Sequence, residues 1–117
     1  MTKFASLRKN LNDGEVKTID FQGYSMYPSI KPNSKIDIVK KSFSVGEIVV
    51  FEDKNQLVCH RIVSLKDDKV VTKGDHMTVS DRPILRRQII GVVIKINGRK
   101  VNALFPKIKL FFKRFKY

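Results

Sequence analysis

Ser25, two histidines and two aspartates fall in three short stretches whose residue types suit nucleophilic catalysis. The first stretch is Gly23-Tyr24-Ser25-Met26-Tyr27-Pro28. Glycine reaches backbone angles closed to other residues, and proline fixes one angle while removing a donor. A serine between them can be held at an exposed bend. Nearby backbone N–H groups can then face the oxyanion that forms when its hydroxyl attacks a carbonyl. The same stretch also reads as an ordinary loop entering the first core strands. The second stretch is Cys59-His60-Arg61, inside an apolar run. Strand alternation puts Val58, His60 and Ile62 on one side and Leu57, Cys59 and Arg61 on the other. A histidine facing apolar neighbours is either a hydrogen-bonded core residue or a general base, since imidazole titrates close to neutral pH. The third runs from Thr72 to Pro83 and contains Lys73-Gly74-Asp75-His76-Met77 and Asp81-Arg82. Either aspartate could orient a histidine across the fold. Arg82 could equally neutralise one of them, and Asp75 could instead bond local backbone N–H groups. Cys59, His60, Asp75, His76 and Asp81 match no familiar metal-ligand spacing, so no metal or other cofactor is expected.

The elements that must position these residues are mostly strands. VKTIDF (16–21), KIDIVK (35–40), EIVVFE (47–52), QLVCHRIVS (56–64), KVVTK (69–73) and QIIGVVIKI (88–96) are mostly rich in valine and isoleucine. Turn residues separate them at 31–34, 44–46, 53–55, 67–68 and Asn97-Gly98, the last a tight-hairpin dipeptide. Phe4, Leu7 and Leu11 at helical spacing predict a short N-terminal helix that Gly14 could end. Pro106 suits a helix first turn, and Ile108, Phe111, Phe112 and Phe115 then recur on one helical face among lysines. The expectation is a single mainly β domain over 1–117. It comprises a helical segment at 1–15, a β core at 16–103 and a basic amphipathic helix at 104–117.

Charge narrows the partners. The 117 residues carry 24 Lys+Arg against 11 Asp+Glu, a net charge of +13, and no acidic residue follows Asp81. Eleven basic residues lie beyond that point, leaving a net of only +2 before it. A basic helix carrying large aromatics can lie in a membrane interface, or its aromatics can cap the β core while its lysines stay solvated. One cysteine excludes a disulfide framework and a cysteine-based zinc cluster. No apolar run is long enough to span a bilayer, and the N-terminus lacks the pattern of a secretory signal. These features predict a cytoplasmic chain, docked peripherally at the inner membrane face if 104–117 acts as its anchor.

Taken together, Ser25, His60 and a downstream aspartate supply a nucleophile, a base and an orienting acid, whose order along a chain is not fixed by the chemistry. Ser25-Met26-x-Pro28, Gly46-Glu47-Ile48-Val49-Val50-Phe51, His60-Arg61-Ile62, Lys73-Gly74-Asp75 and Asp81-Arg82 resemble the motifs of the type I signal peptidases, in family order. The resemblance is closest to the endoplasmic-reticulum type, also found in some bacteria, in which histidine replaces the catalytic lysine. It runs from about residue 17 to 94, two-thirds of the chain.

The resemblance implies a mainly β peptidase fold shared with the self-cleaving SOS repressors. It also implies cleavage after small residues in an extended substrate paired with a sheet edge. Ser25 then matches the nucleophile, His60 the general base and Asp81 the acid that orients it. Asp75 matches a second aspartate that supports the site. The Ser25 N–H is the expected oxyanion donor, with Gly23 and Met26 as flanking supports; Gly23 leaves out the side-chain donor that some relatives carry there. Relatives commonly follow Gly-Asp with two asparagines, where this chain has His76 and Met77, so His76 is a rival imidazole. They also have a transmembrane helix before the serine motif, and none is readable in the 24 residues that precede Ser25. The expected partner is a peptide or protein precursor carrying a leader or signal-like segment. The alternative is a non-catalytic module on the same fold that binds a peptide, a membrane or nucleic acid. Nucleic acid is disfavoured, because no binding motif for it is readable.

Overall fold

Runs of valine and isoleucine become strands here, released on either side by residues that tolerate turn geometry. The computed structural model describes Leu7, Lys9, Leu11, Asn12 and residues 14–101. Its strands are β1 (Val16–Phe21), β2 (Ser34–Val39), β3 (Ile48–Asp53), β4 (Gln56–Lys66), β5 (Lys69–Lys73), β6 (Ile84–Leu85), β7 (Ile89–Ile96) and β8 (Arg99–Lys100). A 3₁₀ turn, Arg86–Gln88, leads into β7. The strands lie in the order β1-β2-β7-β3-β4-β5-β6, every neighbour antiparallel, and β8 folds back onto β7. The fold is mainly β, as the sequence predicts.

The turns explain the hairpins. Lys54 and Asn55 close β3 onto β4 with φ of 51° and 63°, and Asn97 and Gly98 close β7 onto β8 with φ of 50° and 82°. Two successive positive φ values make the mirror-image turn whose twist matches that of paired strands. The two-residue strands β6 and β8 were not expected, since two residues carry no readable period. Gly14 takes a turn with φ of 78°, and Leu7 and Lys9 are helical. Phe4 and the whole 104–117 segment lie outside the described residues.

Alternation along β3 shows how the sheet is covered. Ile48 and Val50 join Met26, Ile30, Ile36, Ile38, Cys59 and Val93 in one buried cluster, against which Leu7 also packs. Val49 and Phe51 join Ile62, Val70 and Val92 in a second, flanked by Phe43, Val58 and Ile89. The central strands are therefore buried on both faces and read as continuous apolar runs. β4 lies between β3 and β5, with His60 opposite Val49 and Ile62 opposite Thr72. It carries a bulge between Ile62 and Ser64. Among the described residues no helix is long and apolar enough to cross a membrane.

Candidate active site

The chain leaves β1 at Phe21 and turns at Gly23, where φ is +91°, a backbone region that side-chain-bearing residues avoid. The Tyr27 N–H donates to the Tyr24 carbonyl and the Ile30 N–H to the Met26 carbonyl, both at 3.0 Å. Met26 and Ile30 are fully buried and anchor the turn in the core. Ser25 immediately precedes Met26, is half-buried, and its carbonyl accepts the His76 N–H at 2.9 Å.

His60 projects from β4 with its ring edge-on to Phe51, the centroids 6.4 Å apart. Its Nδ1 lies 2.5 Å from Asp81 Oδ2. Asp81 is fixed from β5: its N–H donates to the Thr72 carbonyl, and the buried Thr72 hydroxyl donates to the same Oδ2, both at 2.8 Å. Because Thr72 pairs with Ile62 across β4 and β5, Asp81 is delivered beside the strand that carries His60. Burial alone would raise the Asp81 carboxyl. The His60 hydrogen bond and charge, the Thr72 hydroxyl and the positive charge of Lys73 outweigh it and hold the carboxyl below its usual range.

With Nδ1 engaged, Nε2 is the nitrogen left for other chemistry, and it faces the Ser25 turn across Gly74. A Cβ at position 74 would lie 2.5 Å from the Ser25 carbonyl oxygen, 2.8 Å from Met77 Cγ and 3.2 Å from His60 Nε2. Only glycine allows so close an approach, because the nearest obstacle is backbone. Lys-Gly-Asp is therefore a contact point between the serine turn and the histidine strand.

Asp75 belongs to a different arrangement. Its carboxylate accepts Arg61 Nε at 3.0 Å and Nη2 at 2.9 Å, and the Ser29 hydroxyl at 2.5 Å. Arg61 also donates Nη1 to the Gly46 carbonyl at 2.6 Å, and its side chain is only 3% exposed against 8% for Asp75. The Asp75 N–H donates to Met26 Sδ at 3.3 Å. Of the roles open to Asp75 in the sequence, bonding local backbone N–H groups is therefore not the one adopted. Arg61, not Arg82, neutralises it. Met26 is fully buried and its sulfur accepts the Asp75 N–H.

His60 and Asp81 thus pair directly, and the Ser25 carbonyl and His60 Nε2 both approach Gly74, while Asp75 bonds Ser29 and Met26 of the serine turn. Cys59 is buried on the opposite side of β4 from His60. Burial pushes its thiol far up, against a smaller opposing effect of Arg61. Among the described residues no group of three or more potential ligands could hold a metal ion. His76 is exposed and rests edge-on against Tyr27, the ring centroids 6.0 Å apart. Sequence reasoning missed Thr72, Ser29 and the partnership of Arg61 with Asp75. An arginine on a strand face shared with Leu57 and Cys59 was the available signal, because a buried guanidinium requires a carboxylate. No model of a known family matches the chain, and no curated protein matches it.

The two aspartates should separate in a denaturation series. Asp75→Asn leaves a buried guanidinium uncompensated and should cost about 3–5 kcal/mol in urea unfolding. Asp81→Asn should cost far less, and its effect should depend on pH. The folded Asp81 carboxyl is depressed, so its contribution is complete above the ordinary carboxylate range and is lost as pH falls through the depressed value. Stability curves of wild type and Asp81→Asn should therefore converge on acidification. A constant gap down to strongly acid pH would remove the ionised Asp81–His60 pair as its source.

Proposed function

We propose that this chain is a serine endopeptidase of signal-peptidase type that removes a leader or signal-like segment from a peptide precursor. The observation that carries the reading is His60, bonded through Nδ1 to Asp81 and facing the Ser25 turn with Nε2 across Gly74. An aspartate holding Nδ1–H leaves the Nε2 lone pair available as a base and stabilises the imidazolium that forms. As Ser25 Oγ bonds to the scissile carbonyl carbon, its proton passes to His60 Nε2. The carbonyl oxygen becomes an oxyanion beside the Ser25 N–H, which takes no part in the hydrogen bonds of the turn. Collapse breaks the C–N bond, and Nε2 returns the proton to the departing amine. Water then attacks the acyl-enzyme, giving its proton to His60. The carboxyl product leaves, and Nε2 returns the proton to Ser25 Oγ.

An extended peptide is the fitting substrate. Tyr24 is 64% and Val79 72% exposed, and Tyr27 and Met77 are exposed as well. These apolar side chains flank the turn and the 74–81 loop, where they can receive a chain with small residues on its acyl side. The same rim would serve a non-catalytic peptide-binding module, and activity decides between the two. The chain would work in the cytoplasm, held at the inner membrane face by residues 104–117.

Mass spectrometry of new N-termini, with a peptide library rich in small residues, tests the chemistry. Wild type should cleave, whereas Ser25→Ala and His60→Ala should each lose about 10³-fold or more while keeping the wild-type melting profile. Turnover by purified Ser25→Ala would remove the nucleophile, and peptide capture without cleavage by wild type would favour the binding module. Liposome flotation tests the anchor: full chain should float with anionic vesicles, and chain ending at residue 103 should not. Equal flotation of both would exclude the tail as the anchor.

A further inference from the structure

We propose that a second, basic pocket on this domain binds a phosphate-bearing ligand, independently of the peptidase reading. Lys40 and Lys41 follow the end of β2, and Arg86 and Arg87 lie in the 3₁₀ turn before β7. Although distant in the chain, the two pairs converge on one cavity of about 420 Å³, walled by Phe43 and floored by residues 89–91. That volume lies within the range of small-ligand sites.

The side chains are arranged for an anion. No acidic residue lines the cavity. Glu47 pairs with Lys41 from outside at 3.3 Å and also accepts the Ser44 N–H and hydroxyl, so it offsets one of the four charges in part. Arg86 donates Nε to the Asp67 carbonyl at 2.7 Å, and its guanidinium carbon stands 5.7 Å from the centre of the Phe43 ring. The guanidinium is therefore held in place before any ligand arrives, which lowers the entropy lost on binding. Like charges gathered in one concavity repel, and an oxyanion placed among them relieves the repulsion. A phosphate monoester, with close to two charges and three acceptor oxygens, matches two lysines and a fixed guanidinium better than a single carboxylate does. The apolar floor has room for the carbon skeleton attached to it. Such a ligand is either a soluble phosphate compound or a phospholipid headgroup.

The test must separate the pocket from the overall charge of +13. Full-chain wild type, Lys40→Gln/Lys41→Gln and a charge-matched control, Lys54→Gln/Lys66→Gln, are compared after circular dichroism shows all three folded. Both control lysines are exposed and lie outside the cavity. Pyrophosphate titration by calorimetry reads the free anion. Flotation with phosphatidylcholine vesicles carrying phosphatidic acid reads the headgroup, with residues 104–117 present in all three proteins. The pocket variant should lose about tenfold in affinity and the control about twofold or less. Loss with pyrophosphate alone identifies a soluble ligand, and loss with vesicles identifies a headgroup. Equal weakening by both variants, no weakening by the pocket variant, or no binding by wild type in either arm overturns the proposal.

Discussion

The contact on which the site depends is the buried pairing of Arg61 with Asp75. Taking a guanidinium and a carboxylate out of water costs several kcal/mol for each ion, recovered only when both are fully bonded. Here the arginine reaches both Asp75 oxygens and the Gly46 carbonyl, and Ser29 and Met26 bond Asp75 from the serine turn. Among the described residues no buried side-chain nitrogen or oxygen lacks a partner. The pair ties together three pieces of chain that share no strand: the turn around Ser25, the middle of β4 and the loop after β5. Separating any of them would strand a charge in the core.

Because strand side chains alternate, this anchor and the candidate base occupy neighbouring positions without competing for space. Arg61 turns one way toward Asp75, and His60 turns the other way toward Phe51 and Asp81. One strand thereby supplies the anchor from one face and the candidate base from the other. Gly74 completes the arrangement, since the loop held by Asp75 passes so close to both the Ser25 carbonyl and His60 Nε2 that any side chain would push them apart. The serine turn and the His60 strand are thus held in place through Arg61, Asp75 and Gly74.

The positive charge is redistributed by folding. Read along the chain, the basic residues accumulate after Asp81, which suggests one basic tail. In the fold, Arg86 and Arg87 meet Lys40 and Lys41 at one cavity, while Arg99 and Lys100 meet Lys31 at another, next to Pro28 and Ser29. Antiparallel pairing of β2 with β7 brings these distant segments together. Among the described residues, part of this linear charge bias therefore lies at two separate concave surfaces.

Most of the sheet was legible in the sequence because strand and turn signals are local. Valine and isoleucine runs end at Lys54-Asn55, Asp67 and Asn97-Gly98, where a few residues suffice to specify a positive φ. The types of Ser25 and His60, and the alternation that separates His60 from Cys59 and Arg61, were legible for the same reason. The choice between the two aspartates was not legible from the residues themselves. Both follow His60 within a short span, both carry the same carboxylate, and only the resemblance ranked them. That choice belongs to the β4–β5 register, which puts Thr72 opposite Ile62 and so places Asp81 on Nδ1, and to the close approach at Gly74, which gives Asp75 to Arg61. The sequence determined which segments form strands and where the chain turns, since each depends on a handful of neighbouring residues. Tertiary structure alone decided which carboxylate meets which base, because a hydrogen bond needs its atoms within about 3 Å and only long-range register brings them there.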